Sequence, residues 1–251
     1  MLRLLSELID YSIHATDGDL GHCSDFLVDD EAWTIRYLVV KTTRWLPGRK
    51  IVLPPVFLDE PDWDAQRFPA RLTKQQIEDG PPLDEHAPLS RQYEVTYHEH
   101  YALPFYWLGE SRLETYPDAH GVLHPVPDEP VTELAALASD EKGHLRSTRE
   151  MTGYRVFAAR GEVGHVADFV LDDQAWVLRY LVVDTGAWLP GRKVLLSTQW
   201  ITSVRWTDRV IHIDAEIESI THSPVYDPSQ GLTRSYEMLL HDHYRQRYYW
   251  T

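Results

Sequence analysis

Gly21-His22-Cys23-Ser24-Asp25-Phe26-Leu27-Val28-Asp29-Asp30 is the stretch whose reading decides the fold, because it occurs twice. It continues through Trp33, Arg36-Tyr37-Leu38-Val39-Val40 and Trp45-Leu46-Pro47-Gly48-Arg49-Lys50 to Leu53. The second copy starts at Gly164 and keeps Asp168-Phe169, Asp172-Asp173, Trp176, Arg179-Tyr180-Leu181-Val182-Val183 and Trp188-Leu189-Pro190-Gly191-Arg192-Lys193 in the same order. About 21 of 33 positions are identical, and a shift of 143 residues carries the match without a gap from Met1–Trp107 onto His144–Trp250. A repeat of this length is one structural unit written twice. It divides the chain into repeat one (1–107), an acidic, proline-containing linker (108–143) and repeat two (144–251).

Within a repeat the period is that of strands, then of short helices. Glu7 to Ile13, matched by Glu150 to Val156, mixes apolar and polar positions with period two and predicts a short strand. Gly18 and Gly161 mark a turn, and Gly21 to Val28 predicts a second strand. Asp29 to Ala32 supplies turn residues before Thr34 to Val40, the most strand-like run. Pro47 and Gly48 predict a tight turn in the Trp45–Lys50 loop. Ile51 to Leu53, Val56 to Leu58 and Trp63 to Leu72 continue as strands, and this many short strands predicts a small antiparallel barrel. Thr73 caps a short helix that ends before Gly80-Pro81-Pro82, and Ser90 and Thr233 open helices running to about His98 or Tyr101 and their partners. Each repeat closes on an aromatic tail, Phe105-Tyr106-Trp107 or Tyr248-Tyr249-Trp250. In the linker, Val131 to Ala138 predicts one or two helical turns.

Composition narrows the function classes. At 251 residues and 43% hydrophobic content the chain can bury two cores. The formal charge is -15, with 10 basic and 18 acidic side chains in residues 1–107, 2 and 8 in 108–143, and 12 and 13 in 144–251. Such a field repels phosphate backbones, so direct nucleic-acid binding is disfavoured. The sequence contains neither a long uncharged apolar run nor a basic-then-apolar leader, which predicts a soluble, cytoplasmic protein without membrane insertion. Cys23 is the single cysteine and aligns with Val166, so a disulfide within the chain is excluded, and a small half-buried side chain is expected.

The succession resembles the PRC-barrel family, named from the cytoplasmic domain of the photosynthetic reaction-centre H subunit. The resemblance is carried by Gly18-Asp19-Leu20-Gly21 and Gly161-Glu162-Val163-Gly164, then Asp25-Phe26 and Asp168-Phe169, Asp29-Asp30 and Asp172-Asp173, and Tyr37-Leu38-Val39-Val40 and Tyr180-Leu181-Val182-Val183. It implies a mainly β chain with short helices: two tandem small antiparallel β-barrels, pseudo-twofold related, each followed by a helical and aromatic tail. It also implies a docking module without a shared catalytic site. Other relatives include the PRC domain of the ribosome maturation factor acting in 16S rRNA processing.

Three sets of side chains are candidates for chemistry. His98-Glu99-His100 and His241-Asp242-His243 place imidazoles two apart, a spacing that serves Zn2+ or Cu2+ on a strand. On a helix, positions i and i+2 lie about 200° apart, and the histidines are then expected to pack with the aromatic tail. Asp25, Asp29 and Asp30, with Asp168, Asp172 and Asp173, are expected to form turns. Trp45, Leu46, Arg49 and Lys50, with Trp188, Leu189, Arg192 and Lys193, present the residue types that dominate interface hot spots. The expected function is a non-catalytic interaction module, without cofactor, that binds a protein partner and pairs its barrels internally or as a homodimer. The alternatives are assistance to ribosome or RNA processing, and metal binding through the histidine pairs.

Overall fold

The computed structural model describes residues 1–42, 49–83, 89–108, 113–117, 123–127, 144–186 and 191–250. Repeat one contains β1 (Leu2–Leu4), β2 (Ser12–Ala15), β3 (Gly18–Asp29), β4 (Ile35–Thr42), β5 (Lys50–Leu53) and β6 (Arg67–Pro69), then α1 (Lys74–Glu78) and α2 (Arg91–His100). After β7 (Leu113–Pro117) and β8 (Leu123–Pro127), repeat two contains β9 (Leu145–Ser147), α3 (Thr148–Met151), β10 (Arg155–Ala158), β11 (Gly161–Asp172) and β12 (Val177–Asp184). It ends with β13 (Lys193–Ser197), β14 (Ile201–Arg205), β15 (Val210–Ile213), α4 (Ile217–Thr221) and α5 (Arg234–Tyr244).

One main sheet runs β5-β4-β3-β2-β6; the other runs β13-β12-β11-β10-β15-β14 and carries β1 on β11. Among the described residues each path is open at both ends. The purely antiparallel expectation is corrected at one pair in each sheet, since β2 with β6 and β10 with β15 are parallel. About fifty residues separate those partners, enough for the crossover that a parallel pair requires.

The chain forms two compact units. The C-terminal unit comprises Met1–Ile9, Val28–Ile35 and Arg146–Thr251, and the N-terminal unit comprises Asp10–Leu27 and Arg36–Leu145. Repeat one thus gives two pieces to the C-terminal unit. In β1, Leu2 lies opposite Asp172 and Leu4 opposite Val170. Ile35 N donates to the Trp176 carbonyl at 2.7 Å, and Leu178 N donates to the Trp33 carbonyl at 2.8 Å.

Local chemistry explains the repeated punctuation. Gly21 and Gly164 adopt φ of +151° and +145°, and a Cβ there would stand 2.1 Å from the Lys41 carbonyl oxygen or 2.0 Å from that of Asp184. Only glycine lets the neighbouring strand approach this closely. Asp29 Oδ1 accepts from the backbone of Glu31 at 3.0 Å and Ala32 at 3.1 Å, a turn that Asp172 repeats with Gln174 and Ala175. β4 and β12 read as unbroken apolar runs because Leu38 to Val40 and Tyr180 to Val183 are all buried. The Thr73 hydroxyl and the Gln76 side chain form a reciprocal cap on α1, while Ser90 and Thr233 cap α2 and α5.

Other expectations shift. Glu7 to Ile13 is not one strand: Leu5–Leu8 forms a 3-10 turn and the strand begins at Ser12. Leu5 and Leu8 are both buried, and their spacing of three matches one 3-10 turn. Pro55–Phe57 is likewise a 3-10 turn rather than strand, since Pro54 and Pro55 have no N–H to give a ladder. The linker holds a hairpin, with Leu113 opposite Pro127 and Pro117 opposite Leu123. Cys23 is fully buried, and burial raises its thiol pKa. Residues 43–48, 187–190 and 131–138, which include Trp45, Leu46, Trp188, Leu189 and the expected linker helix, lie outside the described residues.

Candidate functional site

In each unit a buried glutamate and a buried histidine meet a tyrosine where the helix opened by Ser90 or Thr233 covers the centre of β4 or β12. Tyr37 is fully buried in β4, and the helical spacing of Glu94 and His98 puts both on the covered face of α2. The Tyr37 hydroxyl lies 3.2 Å from Glu94 Oε1 and 2.9 Å from His98 Nε2. Tyr106, from the aromatic tail, donates to the same Glu94 oxygen at 2.6 Å. Arg91 Nη1 donates to Glu94 Oε2 at 3.0 Å, and the Arg36 guanidinium stacks 3.8 Å over the Tyr106 ring. His144 completes the cluster: its Nε2 is 2.7 Å from the Tyr106 hydroxyl and its Nδ1 is 2.9 Å from Arg91 Nη2.

Every member except His144 has a counterpart 143 residues on. The Tyr180 hydroxyl lies 2.9 Å from Glu237 Oε1 and 3.0 Å from His241 Nε2, and Tyr249 donates to Glu237 Oε1 at 2.6 Å. Arg234 pairs with Glu237 at 3.0 Å, and Arg179 stacks 4.1 Å over Tyr249.

Donor arithmetic restricts the protonation states. His98 Nδ1 faces the Pro104 carbonyl at 2.6 Å, and His241 Nδ1 faces that of Arg247 at 2.6 Å. A carbonyl only accepts, so Nδ1 carries the proton and Nε2 of a neutral ring accepts from tyrosine. Tyr37 then has one proton for two neighbours. Its contact with Glu94 is satisfied either by a protonated carboxyl donating to the phenol or by a proton moved onto His98. Burial raises Glu94 to about 7 against the lowering action of the Tyr106 hydrogen bond, Arg91, Tyr37 and Arg36. Burial likewise holds His98 down to about 4 and lowers His241.

The sequence candidates distribute unequally around this centre. His98 and His241 are buried with both ring nitrogens engaged, so a metal would have to displace those partners. His100 is exposed on the opposite side of α2, and His243 Nε2 lies 2.7 Å from the Ser219 carbonyl. The rings pack with the aromatic tail: His98 stacks on Phe105 at 5.9 Å, and His241 meets Trp250 edge-on at 5.4 Å. Asp25 and Asp168 accept from the next backbone N–H, Asp30 pairs with Arg146, and Asp173 pairs with Arg3. Arg49, Lys50 and Lys193 are exposed at strand starts, while Arg192 is half-buried and bonded to the Thr221 carbonyl at 2.8 Å. Sequence reasoning missed Tyr37, Glu94 and Arg36 with their partners. The signal was available in the repeat, where all three recur at the same offset.

The C-terminal unit also holds an open cavity of about 480 Å³ beside this centre, walled by Trp33, Trp206, Tyr249, Arg179 and the exposed face of β14. Arg146 stacks 4.3 Å over Trp206 while pairing with Asp30, so the wall is braced by charge as well as rings.

Comparison with known proteins identifies a PRC-barrel domain at residues 144–218. No curated protein matches the chain. Among the described residues no helix is long and apolar enough to cross a membrane.

Proposed function

We propose, with the PRC-barrel domain at residues 144–218 as premise, that the chain is a non-catalytic protein-interaction module built from two such repeats. Residues 1–107 are then the second copy of the domain, joined by the linker 108–143. One observation carries this reading. In both units the groups able to do acid–base chemistry, Glu94 with His98 and Glu237 with His241, are buried and matched to each other through tyrosine. Groups turned inward and satisfied in this way brace a helix on a sheet; they do not face a substrate.

The cavity beside Tyr249 is the partner surface in this reading, because Trp, Tyr and Arg line it in the combination that dominates interface hot spots. The test is affinity isolation of the tagged protein from its native cell at low expression, with mass spectrometry of the bound material. A stoichiometric protein partner that is lost in Trp206→Ala is expected. Absence of any specific partner would sink the reading, and recovery of ribosomal particles would replace it with the ribosome-assistance alternative.

A further inference from the structure

The two units treat one arginine position differently. In the C-terminal unit Arg192 folds back onto the end of α4, where Nη1 donates to the Thr221 carbonyl at 2.8 Å and Nη2 donates to the Ser223 carbonyl. The Thr221 carbonyl is one that the helix end leaves without an intrahelical partner, the Ser223 carbonyl lies just past the cap His222, and arginine reaches both. Tyr236 and Tyr244 flank the same place, close enough for the guanidinium charge to act on both phenols.

In the N-terminal unit the equivalent residues surround an open slot of about 280 Å³ lined by Arg49, Glu78, Gly80, Tyr93, Tyr97 and Tyr101. Arg49, the counterpart of Arg192, is exposed at its rim. The Glu78 carbonyl corresponds to that of Thr221, and Pro82, four residues on, has no N–H to offer it. The Gly80 carbonyl corresponds to that of Ser223. Among the described residues no hydrogen-bond donor reaches either oxygen. The wall is also richer in π surface, because Tyr97 stands where the other unit has Leu240. The Tyr93 and Tyr97 rings lie 5.9 Å apart and those of Tyr97 and Tyr101 4.7 Å apart. Their hydroxyls are turned to the carbonyls of Pro81, Val52 and Gln76, at 3.1, 2.9 and 3.1 Å. The polar ends are therefore anchored to the backbone; the half-buried Tyr93 and Tyr101 keep ring surface for the slot, while Tyr97 is 3% exposed and backs them.

We propose that this slot of the N-terminal unit is a receptor for a guanidinium group, the head of an arginine side chain, held by the Glu78 and Gly80 carbonyls against the three tyrosines. The C-terminal unit supplies the template, with its own arginine already seated. Carbonyl acceptors select a multi-donor cation, and the ring faces add cation–π attraction. Two sources can supply the group: Arg49 of this chain, or an arginine of a partner polypeptide. The partner source deepens the interaction-module reading and rests on it, whereas the slot itself does not.

Calorimetric titration of the full chain with Nα-acetyl-arginine amide, beside its neutral isostere Nα-acetyl-citrulline amide, tests the assignment. Binding of the arginine compound to wild type, with a Kd on the order of 1 mM and about 5-fold weaker in Tyr97→Leu, is expected for a partner-supplied group. Binding that emerges only in Arg49→Ala identifies Arg49 as the resident occupant. The proposal is overturned if neither protein binds the arginine compound, or if citrulline binds equally well in both. A failed pull-down with a successful titration would remove the partner and leave the slot.

Discussion

The two buried centres use the same side chains at the same spacing, yet they bury their charge to different depths. Glu94 is fully buried beside an Arg91 whose side chain is 14% exposed; Glu237 is 3% exposed beside an Arg234 that is 53% exposed. Around them, Val95 is buried at 1% where its counterpart Met238 is 45% exposed. His144, which aligns with Met1 at the start of the repeat, lies over the Arg91 and Tyr106 pair in the N-terminal unit. A repeated motif therefore reproduces hydrogen bonds faithfully, while the cost of holding a charge inside depends on what lies over the motif. The N-terminal centre is a desolvated network, and the C-terminal one is open to water at its arginine.

Removing the carboxylate breaks the comparison most severely. Glu94→Ala leaves Arg91 buried without its partner and is expected to cost about 3–5 kcal/mol. Glu237→Ala leaves an arginine that water can reach and is expected to cost roughly 1–2 kcal/mol, the loss of its hydrogen bonds. Urea unfolding of the two variants measures both. Equal losses would mean that the exposure of the arginine does not govern the energetics.

The same contrast can be sharpened with pH. Glu94 has its folded-state pKa raised by burial from 4.5 to about 7. Its contribution favours folding fully below about pH 4.5 and is lost as pH rises through about 7. His98 is depressed by burial from 6.5 to about 4, so its contribution is present above about pH 6.5 and is lost as pH falls through about 4. Between those limits the two slopes oppose each other. Glu94→Gln removes one and leaves the other, and unfolding free energy is then expected to rise with pH from about 4 to 6.5, by up to about 3 kcal/mol relative to wild type. A mutant profile parallel to wild type would show that the two groups do not titrate in the folded state as described.

Much of this was legible in the sequence, for physical reasons that can be traced. Gly18 and Gly161 announced a turn, Asp29 and Asp172 another, and Ser90 and Thr233 a helix start, because each is a local demand met by a local residue. The packing of His98 and His241 with the aromatic tails also followed from helical periodicity. The Tyr37–Glu94–His98 centre did not, since its members are 57 and 61 residues apart and only tertiary pairing joins them. The placement of β1 on β11 was hidden for the same reason: Leu2–Leu4 carries no mark of which sheet it will complete. The hairpin of 113–127 was masked by prolines at ladder positions, which weaken a strand signal without forbidding an edge strand.

Tyr37→Phe and Tyr180→Phe probe what the two centres share. Each deletes the one hydroxyl that bridges glutamate and histidine, and each is expected to cost about 1–3 kcal/mol, the penalty for leaving buried acceptors unmatched. Losses that differ strongly between the two would show that the bridge is set by depth and not by the repeated geometry.

The smallest expected effect isolates the arginine itself. Arg234 pairs with Glu237 at 3.0 Å but is more than half exposed, so its attraction is screened by water and salt. Arg234→Met keeps the stem that lies over Trp250, where the guanidinium now stacks at 4.0 Å, and is expected to cost under about 1 kcal/mol. Arg91→Met removes the cation from beside a carboxylate that water does not reach, together with the stack 4.1 Å over Trp107. Glu94 can answer by holding its proton to higher pH, which converts an ion pair into a neutral hydrogen-bonded acid and limits the loss. The Arg91 variant should therefore lose more stability than the Arg234 variant as pH rises through and above neutrality, because only it pushes the Glu94 titration further up. Denaturation of both variants at low and high salt, at pH 6 and pH 8, separates the two cases. Arg234→Met should approach wild type at high salt at either pH, and Arg91→Met should fall further below wild type at pH 8 than at pH 6.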